Sequence, residues 1–130
     1  MKRTPRDKKS KSDYDILYKK VWKIFSEYIR RTSKGRCFTC GTKYDWKEMN
    51  AGHFIHNTLD FDELNIHSQC TRCNRHLHGN AAVYAIKLIE IHGLPVVKSL
   101  VKRAHKNELP TLRQLQYKLR KYTKLVEDLR

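Results

Sequence analysis

The chain is poor in acidic residues and in long apolar runs, and each shortage limits what it can be. Its 130 residues include 13 Asp and Glu against 28 Lys and Arg, which gives a formal net charge of +15. No run approaches the roughly 20 apolar residues of a membrane-spanning helix. The first 12 residues are polar, unlike a signal peptide, and no lipidation signal is present. We therefore expect no membrane partner and a location in a reducing cytoplasm.

The positive charge lies at the two ends of the sequence. Residues 1–36 carry 13 Lys and Arg against 4 Asp and Glu, a net charge of +9. Residues 98–130 carry 10 against 3, a net charge of +7, whereas residues 37–97 carry 5 against 6, a net charge of −1. Basic surfaces of this strength usually bind polyanions, so the distribution favours a nucleic-acid partner over an acidic membrane surface.

The neutral centre contains all four cysteines, in two Cys-x-x-Cys pairs: Cys37, Cys40, Cys70 and Cys73. Two such pairs supply the four thiolates of a closed, structural zinc site. The alternative is a pair of disulfides, which a reducing cytoplasm disfavours. A closed zinc site does no chemistry. Five of the seven histidines lie between positions 53 and 78, and they need a separate explanation.

Apolar periodicity and turn signals predict an α+β, mostly helical fold. We expect a disordered basic arm over residues 1–12 and one domain over 13–130, with its zinc-containing core at 36–92. Extended segments are expected within 36–60 and near 61–68. Helices are predicted at 13–32, 74–92, 95–106 and 111–129, the third of them with Val96, Val97, Leu100 and Val101 facing inward.

The last predicted helix has apolar residues at alternating spacings of three and four: Leu112, Leu115, Leu119, Tyr122, Val126 and Leu129. This spacing is typical of a coiled-coil seam. One interpretation is that the seam packs against the first helix of the same chain. The other is that it joins two copies of the chain, and the pattern itself does not separate the two.

The order of the central motifs matches the ββα-metal, or HNH, nuclease motif. A first knuckle is followed by a ribbon with a histidine, then an asparagine, then a second knuckle that opens a helix. In this match His53 has the position of the general base, since imidazole has an ordinary pKa near 6.5. Asn65 would fix the loop and orient the base. Asn74 would bind a catalytic cation, and its amide oxygen suits a hard ion such as Mg²⁺.

The chain also resembles a narrower family, the phage NinG/Rap recombination proteins, over about residues 14–100. The resemblance rests on four segments, RCFTCG at 36–41, AGHF at 51–54, FDELNIHSQC at 61–70 and CNRHLHGN at 73–80. Members of that family are Holliday-junction endonucleases, and they have a longer N-terminal region than this chain shows. The resemblance implies a zinc-stapled HNH-like core, flanked by N-terminal and C-terminal helices.

The resemblance also implies site residues. His76 joins His53, Asn65 and Asn74 as a catalytic candidate, with His67 and Asn80 in support. The catalytic Mg²⁺ or Mn²⁺ would be held by Asn74 and His76, and His78 is a further candidate because it lies four residues after Asn74. Many HNH enzymes have a metal-binding Asp where this chain has Gly52. His53 could therefore be a ligand instead, which would leave His56 or His67 as the base.

These observations favour a metal-dependent endonuclease that cleaves branched DNA such as Holliday junctions during phage recombination, in the cytoplasm of a bacterial host. A homodimer is expected because a four-way junction is nearly two-fold symmetric and its resolution needs two cuts. Two alternatives are open. One is a zinc-stabilised nucleic-acid-binding module without catalysis, and the other is an HNH nickase or restriction-type nuclease with another substrate.

Overall fold

The computed structural model describes residues 12–106 and 108–130 and confirms the α+β, mostly helical fold. Within these residues there are two strands and four helices. A 3₁₀ turn at Trp46–Glu48 precedes the first strand, and a single wide π-type turn at Arg72–His76 follows the second. In chain order the strands and helices are α1 (Asp13–Thr32), β1 (Asn50–His53), β2 (Ile66–Gln69), α2 (Ala81–His92), α3 (Leu94–Lys106) and α4 (Leu112–Leu129).

Helix α1 begins and ends as the sequence predicts. The Ser12 side chain accepts a hydrogen bond from the Asp15 N–H and so caps the first turn. The buried residues of α1 are Val21, Phe25 and Ile29, which recur at helical spacing along one face. Apart from Ser12, the arm predicted over residues 1–12 lies outside the described residues.

The strands form a two-stranded antiparallel ribbon, in which Gly52 pairs with His67 and His53 pairs with Ile66. The ribbon is shorter than the extended segments that the sequence predicts. Its β2 strand is also bonded to the first cysteine knuckle, where the Phe38 N–H donates to the Ser68 carbonyl at 2.8 Å. A ribbon this small cannot bury an apolar core by itself, so its position depends on what packs against each face.

The main apolar cluster joins one face of the ribbon to α1 and α4. Phe25 of α1 meets Tyr122 of α4 edge to face, with ring centroids 4.8 Å apart. The Tyr122 hydroxyl donates to Glu63, which lies in the loop before β2. The buried members of the cluster are Val21, Phe25, Ile29, Phe61, Ile66, Leu115 and Tyr122.

The predicted helix over 74–92 is wrong at its N-terminal end, because α2 begins only at Ala81. Three consecutive residues before it have a positive φ: His78 at 51°, Gly79 at 89° and Asn80 at 50°. A right-handed helix cannot pass through left-handed residues. The turn at Arg72–His76 is therefore separate from α2, and residues 77–80 form a connection between them.

Helices α2 and α3 pack against each other around Tyr84, Leu88, Val97 and Leu100. The prediction that Val96 and Val101 also face inward is wrong, since they are 37% and 38% exposed. Only Val97 and Leu100 of the four predicted positions lie on the buried face of α3. The described part of the chain contains no helix that is long and apolar enough to cross a membrane.

The seam of α4 packs inside the chain. Leu115, Tyr122 and Val126 are buried, and Leu119 is partly buried against α1, whereas the end residues Leu112 and Leu129 are 48% and 45% exposed. The central part of the seam therefore packs within its own chain, as the first of the two interpretations expects.

We predict that Leu115→Ala destabilises the fold much more than Leu112→Ala, although both leucines belong to α4. Leu115 is fully buried, so its truncation leaves a cavity that costs about 2–5 kcal/mol. The half-exposed Leu112 should cost within about 0.5 kcal/mol. Chemical unfolding of both variants measures the difference. Equal costs would show that the seam is not the core of the chain.

Candidate functional site

The four cysteines come together although 30 residues separate the two knuckles. The Sγ atoms of Cys37, Cys40, Cys70 and Cys73 all lie within 4.8 Å of one another. Those of Cys40 and Cys70 are 3.8 Å apart. Zinc–sulfur bonds of about 2.3 Å in a tetrahedron place sulfurs about 3.8 Å apart. The four residues therefore fit a structural zinc ion.

The surroundings of the sulfurs act in opposite directions on the thiols of Cys37 and Cys70. Burial acts to raise the pKa of the Cys37 thiol, but hydrogen bonds from the Cys40 backbone and the Thr39 hydroxyl outweigh it and lower that pKa to about 6. Burial raises the pKa of the Cys70 thiol to about 12. A bound cation would favour the thiolate form of both residues.

His53 ends β1, and its ring is held on two sides. Its Nε2 lies 2.9 Å from a carboxylate oxygen of Asp60. The indole of Trp22, from α1, stacks on the imidazole with ring centroids 5.3 Å apart. The His53 side chain keeps 20% of its surface exposed. The predicted base is thus fixed by two elements and still accessible to solvent.

Asn65 fixes the loop between the strands. Its side chain is fully buried, and its Oδ1 accepts a hydrogen bond from the Ile55 N–H at 2.8 Å. Its Nδ2 donates to the Ile55 and Thr58 carbonyls at 3.0 and 3.1 Å. The Asn65 carbonyl also accepts the Phe54 N–H, one residue after His53. These bonds agree with a loop-fixing role for Asn65, acting through the backbone next to His53.

The position of the Gln69 side chain explains why residue 52 is a glycine. Its Nε2 donates to the Thr39 hydroxyl and to the Gly79 carbonyl, so the side chain joins the first knuckle to the segment after the second. Its Oε1 is buried, has no hydrogen-bond partner among the described residues, and lies 1.9 Å from where a Cβ on Gly52 would be. A residue with a side chain at 52 would therefore collide with this amide.

Asn74 lies next to the same glycine. Its Oδ1 is 3.1 Å from the Cβ position of Gly52. Successive residues of a strand point to opposite faces, so Asn74 and Gln69 lie at one face of β1 and the His53 ring lies at the other. The two amide oxygens beside Gly52 are of the kind that hard cations bind.

His67 lies in β2 of the ribbon, and its side chain contacts α2. Burial lowers the pKa of its imidazole to about 4, so the ring is neutral at pH 7. Its Nδ1 lies 2.9 Å from the Tyr84 hydroxyl, which itself donates to the Gly52 carbonyl, and Phe38 stacks on the ring at 4.0 Å. His67 therefore joins α2 to the ribbon, and its Nδ1 is already hydrogen-bonded to the Tyr84 hydroxyl.

The other predicted histidines are more exposed. The His56 ring lies 6.1 Å from the His53 ring, and its Nε2 is directed at Gly79. His76 and His78 are exposed, and no hydrogen bond from either side chain is found within residues 12–106 and 108–130. Asn80 instead supports the cysteine cluster, because its Nδ2 donates to the Cys73 sulfur at 3.8 Å.

The sequence predictions did not include Asp60, Tyr18 or Gln69. The Tyr18 hydroxyl, from α1, donates to the second carboxylate oxygen of Asp60, so three elements meet at this acid. Asp60 had a sequence signal, because it lies only seven residues after His53 in a chain with few acidic residues. Gln69 had none, since its role depends on contacts with residues 39 and 79.

Comparison with known proteins assigns the chain to a family. The family model described as "Bacteriophage Lambda NinG protein" matches residues 2–130. The chain belongs to the NinG family. The predicted family resemblance is thereby confirmed, and over a longer part of the chain than the 14–100 expected.

Several curated relatives are named "Protein ninG". Those of Salmonella phage P22, Escherichia phage 933W and Escherichia phage lambda are 32%, 31% and 29% identical to this chain over 117 residues. The matches cover 86% of this chain and 57%, 57% and 56% of the respective relatives, so the NinG chain spans little more than half of their length. No solved structure matches it.

For this NinG protein we predict that Cys70→Ser removes bound zinc and unfolds the ribbon region. The reason is that the free energy of metal binding is part of the folding free energy in a centre with so small a core. Zinc content and thermal unfolding measure both effects, and a chelator applied to the unsubstituted protein should reproduce them. A Cys70→Ser variant that keeps zinc and its melting temperature would contradict the structural role.

A second prediction concerns Gly52 and Gln69. Gly52→Ala should destabilise the protein by about 1–3 kcal/mol, because the added Cβ overpacks against Gln69. In a Gln69→Ala background the same substitution should cost far less, since the colliding amide is gone. A double-mutant cycle by chemical unfolding gives the coupling, and additive costs would show that Gln69 is not the reason for glycine.

Proposed function

We propose that this chain is a metal-dependent endonuclease that cleaves branched DNA, chiefly four-way junctions, during phage recombination. The observation that carries the proposal is the way in which the His53 side chain is held and exposed. Its imidazole is fixed by a carboxylate and an indole, stays accessible, and ends a ribbon that the cysteine cluster ties in place. A binding module needs no histidine oriented in this way, whereas hydrolysis of a phosphodiester needs a positioned base.

In the proposed reaction, His53 takes a proton from a water molecule. The water oxygen forms a bond to phosphorus while the bond from phosphorus to the leaving oxygen breaks, and the leaving oxygen takes a proton from solvent. Asn65 contributes by holding the loop after His53 in one conformation. In this HNH-like assignment the ribbon is β1 and β2, the knuckle is the second cysteine pair, and the following helix is α2. This helix lies at residues 81–92, further from the knuckle than the sequence predicts.

Mg²⁺ or Mn²⁺ is proposed as the catalytic cation, distinct from the zinc held by the cysteines. Asn74 would hold it, since its amide oxygen lies beside Gly52 with the unpartnered Gln69 oxygen nearby. His76 and His78 remain candidate ligands on the exposed connection before α2. When bound, such an ion would draw charge from the phosphate oxygens.

The substrate proposal rests on charge and on the family. Net charges of +9 and +7 at the two ends of the sequence suit the phosphates of two DNA arms, and exposed Lys20 and Lys23 continue this charge along α1. A nickase or restriction-type nuclease would use the same residues. Cleavage of a four-way junction in preference to a linear duplex separates these possibilities.

We also propose that the active form is a homodimer in the host cytoplasm, because one site per chain must make two paired cuts. The central part of the α4 seam is internal, so the contact between two copies would lie on another surface.

The central test is His53→Ala. Cleavage of a labelled four-way junction in Mg²⁺ should fall by about 10²–10⁴-fold, as for the loss of a general base, while junction affinity stays nearly unchanged. His105→Ala, an exposed histidine of α3, is the matched control and should cleave normally. Junction binding without any cleavage by the unsubstituted protein would favour the binding-module alternative.

Junction binding should depend strongly on salt. Each phosphate contact releases counterions, so affinity should fall at least about tenfold between about 50 and 200 mM salt. Deletion of residues 1–12 removes six basic residues, K2, R3, R6, K8, K9 and K11, against one acidic residue, D7. It should weaken binding and flatten the slope of log affinity against log salt. A slope near zero would rule out the basic ends as the DNA-binding surface.

A further inference from the structure

Tyr18, Asp60 and His53 are joined by two successive hydrogen bonds. We propose that the Asp60 carboxylate holds the His53 Nε2–H, leaves Nδ1 as the proton acceptor, and is itself fixed by the Tyr18 hydroxyl. Asp60 and Tyr18 are thus positioning residues, and this inference rests on the proposed nuclease function.

The contact with Asp60 determines which nitrogen of the His53 ring carries the hydrogen. An ionised carboxylate only accepts hydrogen bonds, so the Nε2 that lies 2.9 Å from Asp60 must carry the hydrogen. In a neutral imidazole the other nitrogen, Nδ1, then has the free lone pair. Once Nδ1 has taken the proton of the attacking water, the ring is positive and lies next to a negative carboxylate. That pairing favours the proton transfer.

The carboxylate is held in its charged, oriented form. The hydrogen bond from His53 is the main factor that lowers the pKa of Asp60, burial opposes it, and the Tyr18 hydroxyl adds to the lowering. Burial and then the hydrogen bond to Asp60 raise the pKa of Tyr18 above its ordinary value, so this hydroxyl keeps its proton and donates it. Each oxygen of Asp60 therefore has its own donor.

The arrangement is anchored in the main core. Tyr18 packs on Phe61 with ring centroids 4.9 Å apart, and Phe61 is buried against Phe25. Trp22, one turn after Tyr18 on the same helix, supports the face of the imidazole. Helix α1 therefore supplies both the hydroxyl that orients the carboxylate and the surface under the ring.

Asp62 offers a matched comparison two residues away. Its carboxylate pairs with Arg103 and caps the Leu64 N–H, and no contact joins it to His53 within the described residues. Tyr14 offers the same comparison for Tyr18, because its hydroxyl donates to the Pro110 carbonyl instead. Substitutions at Asp62 and Tyr14 disturb the same loop and helix without reaching the imidazole.

The first experiment is proton NMR on the zinc-loaded chain with ¹⁵N-labelled histidine. The His53 Nε2–H should give a downfield, slowly exchanging signal, assigned by its loss in His53→Ala. It should disappear in Asp60→Ala and persist in Asp62→Ala. A wild-type spectrum without this signal, or its persistence in Asp60→Ala, overturns the proposal. This readout needs no nuclease activity, so it decides the arrangement even if the proposed function fails.

The second experiment measures steady-state junction cleavage over a range of junction concentrations. Asp60→Ala should lower kcat about tenfold or more, with KM nearly unchanged, and should add no further loss in a His53→Ala background. Tyr18→Phe keeps the ring in the core and should lower kcat severalfold, while Tyr14→Phe and Asp62→Ala should not. If Asp60→Ala does not fold, the Tyr18→Phe and Tyr14→Phe pair decides, and equal rates for these two variants overturn the role of Tyr18.

Discussion

The clustering of four cysteines, whose sulfurs fit a single metal ion, is the constraint on which the rest of the centre depends. Among residues 12–106 and 108–130, Met49 is the one other buried apolar residue of the cysteine cluster, and the adjoining ribbon has only four residues in each strand. So small a ribbon is not stable alone in water. Cys70 directly follows β2, and Phe38 of the first knuckle is hydrogen-bonded to Ser68 of the same strand, so the cluster sets both the position of the ribbon and the direction in which the following chain leaves it.

Around that cluster, buried polar side chains define the geometry. Asn65 bonds four backbone atoms of the loop, Gln69 joins two separate segments, and Tyr84 reaches both strands from α2. Buried amides are costly unless they are hydrogen-bonded. Their presence in so small a centre shows that the loop has one favoured conformation, which suits a site that must hold an imidazole in one orientation.

Local patterns in the sequence predicted the long elements well and the connections poorly. The first and last helices have clear apolar stripes and caps, and Ser12 and Thr111 cap them as such residues do. The start of α2 was missed because the predicted helix was continued through Gly79 and Asn80, although these residue types readily adopt the left-handed backbone found there. Cysteine spacing predicted the cluster, since its chemistry fixes the geometry. Asp60 and Gln69 were missed because their roles arise from contacts between distant segments.

The stacking of His53 on Trp22 makes the order of synthesis relevant to this protein. Trp22 belongs to α1, which packs directly on the ribbon, and α4, whose residues lie some ninety positions later in the chain, packs on α1. Contacts of such long separation form late, because the loop between them must close first. A growing chain on the ribosome would therefore complete its cysteine knuckles well before the imidazole gains its full support. In the proposed nuclease, the apolar core behind α1 and the imidazole would thus be complete only after residues 112–129 had left the ribosome.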